Sequence, residues 1–198
     1  MEEHYFSKNP KAKLKLRKIK AKIRGRFYEF ITAPSVFSAK KIDEGTKLLA
    51  EKMIVDERDK VLDLGCGYGV LGIVAATLTK NKVYMVDINK RACKLAKLNS
   101  SNLKNVIVLN GNMFDPVKDK KFDVILLNPP QTAGKKICMK MIAESKNFLK
   151  KGGKLELVAR HKKGGKILSE EMFKVFGNLK VIAKKGGYRI YVSENENP

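Results

Sequence analysis

The sequence predicts an α/β domain: a parallel sheet covered by helices on both faces, with ligands at the carboxyl ends of its strands. Three observations carry this. From Lys60 onward strand-type apolar runs alternate with helical stretches, glycines crowd the first strand-to-helix junction, and 198 residues, 43% of them hydrophobic, are enough for one core. Strands are expected at 60–64 (KVLDL), 82–87 (KVYMVD), 105–110 (NVIVLN), 122–127 (FDVILL) and 154–159 (KLELVA). Helices are expected to start near Gly69, Asn89, Ala133 and Gly165. The third carries Ile137, Cys138, Met141, Ile142, Phe148 and Leu149 at helical spacing. "NLKVIAKKGGYRIYV" closes the chain as a hairpin turning on Gly186-Gly187, and the final "SENENP" is expected to fray.

Ahead of the alternation lies "KAKLKLRKIKAKIRGR", residues 11–26, with nine basic residues. Apolar positions alternate with them at Ala12, Leu14 and Leu16 and again at Ile19, Ala21 and Ile23, the phase slipping at Arg17-Lys18. "RGR" before "FYEFIT" reads as a turn into a second strand. Residues 1–40 are therefore expected to form a basic β-ribbon packed on a domain spanning 41–198. Its basic face would carry Lys15, Arg17, Lys18, Lys20, Lys22, Arg24 and Arg26. Forty-two Lys and Arg against twenty Asp and Glu give a net charge of +22, which favours a polyanionic partner such as nucleic acid.

The charged amino terminus and the lack of a long apolar run predict neither a membrane span nor a secretory leader, hence a cytoplasmic protein. Cys66, Cys93 and Cys138 lack metal-ligand spacing and read as buried thiols, so no metal is expected. Abundant Lys, no Trp and a single glutamine, Gln131, suggest a heat-adapted source.

"VLDLGCGYGVLG" places Gly65, Gly67, Gly69 and Gly72 after a strand and opening a helix, and also satisfies GxGxxG, so a dinucleotide enzyme is considered. Asp63 separates the readings. A carboxylate at this strand end repels a pyrophosphate and attracts an ammonium, such as that of S-adenosylmethionine. Asp87, ending the second strand, can accept from both ribose hydroxyls. Beyond the third strand Asn112 and Met113 would meet the adenine, the amide at its amine and the thioether at its face. Finally, "VILLNPPQTAG" stops a buried strand at Asn128 and follows it with Pro129 and Pro130, a stiff edge that offers acceptors and withholds donors.

With DLGCGYG, VDIN, NGNMF and NPP in this order, the chain resembles the class I S-adenosylmethionine-dependent methyltransferases. Within them it resembles the methyltransferase small domain family, in a stand-alone form similar to archaeal members. The resemblance implies a Rossmann-like seven-stranded sheet of order 3-2-1-4-5-7-6 with strand 7 antiparallel. It also implies S-adenosylmethionine as cofactor, held by Asp63, Gly65, Cys66, Gly67, Gly69, Asp87, Ile88, Asn112, Met113 and Asn128, with Phe37 and Thr46 lining the methionine end. The NPP edge implies methylation of an amino nitrogen. Asn128 Oδ1 and the Pro129 carbonyl would each accept one amine N–H and aim the lone pair at the methyl group.

Relatives that modify small-subunit ribosomal RNA make that RNA, within a ribosomal-subunit precursor, the expected partner. Cytosine N4 and guanine N2 are both compatible. A transfer RNA base, a ribosomal-protein glutamine or a non-catalytic RNA-binding role are the alternatives. Gln131 stands where the family often has an aromatic that stacks on the base; Phe37, or Tyr188 beside Arg189, could supply that face instead. His161 and Lys162, after the fifth strand, are expected to contact phosphates.

Overall fold

The computed structural model describes residues 15–130 and 134–196. The ribbon opens it: β1 (Arg17–Ile23) and β2 (Arg26–Thr32) pair antiparallel. The turn puts Arg24 and Gly25 at φ +49° and +75°, as a two-residue hairpin turn requires. β1 begins at the residue where the alternation slips phase; Ala12 and Leu14 lie outside the described residues. Ile19, Ala21 and Ile23 face inward, Ile23 and Phe30 fully buried in the main core, while Lys18, Lys20 and Lys22 face outward.

Next comes α1 (Glu44–Lys52), a helix the apolar pattern did not predict. Only Leu48, Leu49 and Ala50 mark its buried side, too short a run to show a period. Its start is set by Asp43, whose carboxylate accepts from Thr46 N at 2.9 Å.

Strands and helices then alternate: β3 (Val61–Leu64), α2 (Val70–Ala76), β4 (Val83–Asp87), α3 (Lys90–Asn99), β5 (Val106–Asn110), β6 (Phe122–Leu127), α4 (Lys135–Phe148), β7 (Leu149–Arg160), α5 (Lys166–Phe176), β8 (Lys180–Lys185) and β9 (Tyr188–Glu194). The sheet order is β5-β4-β3-β6-β7-β9-β8, with β9 antiparallel to both neighbours. Counted from β3, that is 3-2-1-4-5-7-6. One face packs on α1, α2, α3 and the ribbon, the other on α4 and α5. β3, at the centre, is buried at all four residues, and only Asp63 among them is polar. No helix among the described residues is long and apolar enough to cross a membrane.

Two expectations need correction. Leu149 does not continue the apolar face of α4; it begins β7, though it shares a core with Met141. Ile137 lies in α4 as expected, 43% exposed and bordering the cleft described below. The tail does not fray from Ser193: Ser193 and Glu194 belong to β9, and Asn195 is buried, its backbone N–H donating to Gly153 O at 2.8 Å.

Candidate active site

The parallel strands end on one edge of the sheet, where the turn after β3 opens a cleft. Gly65 and Gly67 sit at φ +76° and +57°, and a Cβ on either would meet no atom within 4 Å. Their missing side chains therefore leave a cradle facing the cleft. Gly69, expected to join them, does not. Its Cβ would press on Ile73, Met85 and Ala96 at 3.2–3.4 Å, so this glycine serves the seating of α2.

Two compartments meet at this cradle. The larger is mostly apolar and bounded by Val36, Ile88, Met113, Ile137 and Met141, with Asp87 and Asn112 as polar points and Pro129-Pro130 as its rim. The smaller holds Asp43, Thr46, Asp63, Cys66 and Tyr68. Phe37, Gly65, Gly67 and Asn128 line both.

Asp63 is 1% exposed, and its Oδ2 accepts from Gly72 N at 2.8 Å. Burial pushes its carboxyl up to about 7; the Gly72 bond opposes this and the charge of Asp87 adds to it. Gly72 is needed here: a Cβ would collide with the Met85 side chain and stand 3.2 Å from Asp63 Oδ2. Asp87 is fixed through both oxygens, Oδ2 accepting from Gly67 N and Oδ1 from Asn89 N, each at 2.8 Å. Burial raises its carboxyl as well, against those backbone donors. Met113 takes φ +47°, a left-handed conformation rare for a side chain of its size. The Cys66 thiol is buried beside the two carboxylates, and burial above all pushes it well up, so it is an inert wall. No cluster of metal-ligating side chains occurs among the described residues.

At the end of β6, Asn128 is oriented by its nitrogen. Nδ2 donates to Thr46 Oγ1 at 2.8 Å and to Asp43 Oδ2 at 3.1 Å. A carboxylate can only accept, so the amide nitrogen must face α1, which leaves Oδ1 on the other side of an amide that lines both compartments. Gln131 lies outside the described residues.

Asp43 was missed in the sequence. Its other oxygen accepts from Tyr188 OH at 3.1 Å, while the Arg160 guanidinium lies 5.0 Å over the Tyr188 ring and Gly45 backs it so closely that a Cβ would come within 2.7 Å. Tyr188 is half-buried, and in this structure its ring packs against Arg160 and Gly45 while its hydroxyl bonds Asp43.

Among the basic residues, Lys18 pairs with Glu29 at 2.7 Å, Lys20 stands 3.9 Å from the same carboxylate, and Lys22 Nζ lies 5.5 Å over the Phe27 ring. Arg24 is structural: its backbone N–H donates to Glu51 Oε2, and Nη1 to the Glu51 and Met53 carbonyls. Lys15, Arg17, Arg26 and Lys162 are exposed. His161 Nδ1 is 2.8 Å from Tyr191 OH. Burial, then Arg189, Lys166, Lys162 and Lys184, lowers its pKa, so it sits neutral inside a basic rim.

This sheet order, the glycine cradle and the two acids define a class I S-adenosylmethionine-dependent methyltransferase fold. The methyltransferase small domain model matches residues 27–192, and the chain belongs to that family, whose members use S-adenosylmethionine. It is 33% identical to the YbxB protein of Bacillus subtilis over 195 residues, covering 96% of this chain and 97% of that one. It is also 33% identical to ribosomal RNA small subunit methyltransferase C of Haemophilus influenzae over 169 residues, 82% of this chain and 50% of the relative. The chain thus spans about half the length of that methyltransferase. Among solved structures, the T. thermophilus 16S rRNA N2 methyltransferase (RsmC), in complex with AdoMet and guanosine, superposes with a TM-score of 0.79 at 25% identity, over 93% of this chain and 52% of that one.

Proposed function

We propose that the chain binds S-adenosylmethionine and methylates an exocyclic amine of an RNA base, guanine N2 in small-subunit ribosomal RNA being the favoured target. The observation that carries this is the orientation of Asn128, which turns an acceptor toward the cleft beside a rigid proline edge.

The residues fit the cofactor. Gly65 and Gly67 clear the space a ligand backbone needs, Asp63 gives a buried carboxylate for an ammonium, and Asp87 keeps lone pairs for ribose hydroxyls. The apolar compartment with Met113 and Asn112 suits an adenine. Bound there, the cofactor supplies an electrophilic methyl group on a sulfonium. The protein's part is alignment. A base amine is a poor nucleophile because its lone pair is delocalised into the ring. Asn128 Oδ1 and the Pro129 carbonyl accept its two N–H groups, hold the lone pair out of conjugation and stabilise the positive charge growing on nitrogen. The surplus proton leaves to water, since no histidine among the described residues lines either compartment.

Guanine is favoured over cytosine by the relatives named above. Support for RNA comes also from the surface. Lys22 of the ribbon, Lys47 and Lys52 of α1 and Lys185 of the last hairpin surround one groove, tempered by Glu44 and Glu51. It runs along α1, the helix whose N-cap touches Asn128, and so could lead a phosphate backbone to the cleft.

The test is mass spectrometry of ribosomal RNA nucleosides from a deletion strain, with and without the gene restored. Loss and return of one N-methylated guanosine supports the proposal, and methyl label found only in transfer RNA or in protein overturns its substrate. Asn128→Ala should keep S-adenosylmethionine affinity within about threefold and lower methyl transfer at least about a hundredfold.

A further inference from the structure

We propose that Asp43 is a positioning residue for this reaction: from the N-cap of α1 it sets which arm of the Asn128 amide faces the amine. The inference rests on the amine-methylating reading of the cleft. An asparagine amide is nearly symmetric in shape, and its two orientations differ only in what they bond. One orientation offers the amine an acceptor. The other offers a donor, which an N–H group cannot use. The chemistry therefore needs a device that chooses.

Asp43 is that device. Its Oδ2 accepts Thr46 N at 2.9 Å, Thr46 Oγ1 at 3.4 Å and Asn128 Nδ2 at 3.1 Å. Thr46 Oγ1, having its proton directed at Asp43, is left to accept the other Nδ2 hydrogen at 2.8 Å. Both hydrogens of the amide are thus used on the α1 side. A flipped amide would set Oδ1 against the carboxylate and lose the Asp43 bond, and Thr46 Oγ1 could donate to it only by giving up its own bond to Asp43. Tyr188 OH, donating to Asp43 Oδ1 at 3.1 Å, stops the carboxylate from turning, and Gly45 and Arg160 hold that ring in place. Capping alone requires only the bond to Thr46 N, which a serine can make. The contacts to residues 128 and 188 go beyond capping.

The experiment compares Asp43→Ser with Asp43→Asn. Serine keeps the cap and is too short to reach Asn128. Asparagine keeps the cap, can place its own oxygen where Oδ2 stands, and can donate to the Tyr188 oxygen. For the serine variant, S-adenosylmethionine affinity and KM for small subunits from the deletion strain should each change by less than about threefold, and the melting temperature should fall by only a few degrees as Asn128 and Tyr188 lose an acceptor. Its kcat should fall about ten- to a hundredfold. The asparagine variant should recover most of that loss. In parallel, the side-chain NH2 resonances of Asn128, assigned by their disappearance in Asn128→Asp, should shift and exchange faster with water in the serine variant only. Wild-type kcat in Asp43→Ser, an asparagine variant no better than serine, or unmoved Asn128 resonances each overturn the proposal. If wild-type protein transfers no methyl group to RNA, the functional reading fails, while the resonances still decide the role of Asp43.

Discussion

Replacing Asp63 with asparagine should make the protein more stable and blind to its cofactor. In the unfolded chain this carboxyl titrates near 3.8; the fold raises it to about 7. The folded state therefore holds the proton more tightly. Below 3.8 both states are protonated and nothing is lost. As the pH climbs from there the unfolded chain ionises first and stability falls, until above 7 the loss is complete at about 4 kcal/mol, using 1.36 kcal/mol per unit. An amide stays neutral throughout, and its oxygen can still accept from Gly72 N. The advantage of Asp63→Asn over wild type should then grow by about 3 kcal/mol between pH 5 and pH 8. Glu156, buried on β7 and raised to about 8 while accepting from Ile54 N, titrates alike in both proteins and cancels from the difference. Guanidinium unfolding of both proteins at the two pH values measures it, and calorimetry at pH 8 should find S-adenosylmethionine binding lost in the variant. A stability difference that does not change with pH would refute the account of Asp63 as a desolvated acid.

Gly67→Ala places a methyl group in the open cradle at φ +57°, so it should cost about 1 kcal/mol of stability and at least about tenfold in S-adenosylmethionine affinity, read by calorimetry. Loss of stability with unchanged affinity would mean the cradle is not the ligand's seat. Changing Lys18, Lys20 and Lys22 together to glutamine should reduce the salt slope of RNA binding by at most about two to three units. Lys18 should account for least, because Glu29 already holds it at 2.7 Å. A slope equal to wild type would make the ribbon a solvated face.

The sheet was legible because a doubly covered parallel sheet writes itself as apolar runs separated by helices, and the glycine turn fixes where its ligand edge lies. Asp63, Asp87 and Asn128 were legible for a related reason: each is a polar residue at the end of a buried strand. What could not be read depends on contacts between distant segments. Four glycines in a row look alike, yet Gly65 and Gly67 open on the cleft while Gly69 and Gly72 let α2 sit against Met85. The basic run hides that Arg24 is tied to Glu51 and that register sets Glu29 opposite Lys20. Asp43 carried a signal, an acid immediately before a first turn that contains a threonine three residues on. That signal shows a helix start and says nothing of a partner 85 residues on.

The acid at Asp63 also dictates how binding must depend on pH. An α-ammonium stays charged up to about pH 8, and a cation at hydrogen-bond range favours the carboxylate. With protein groups alone around it that carboxyl is at about 7. Below this value the ligand must expel a proton to bind, so affinity should rise about tenfold from pH 6 to pH 7.5, level off, and decline once the ammonium itself deprotonates. Asp87 faces the same cleft from β4 and is also raised by burial. It meets neutral hydroxyls, so it gains no cation and adds little to the slope. Calorimetry at pH 6 in two buffers of different ionisation enthalpy should report close to one proton released per ligand bound. Equal heats in the two buffers, with affinity flat across that range, would show that the ammonium does not seat on Asp63. The cleft would then have to hold its methionine end by some other group.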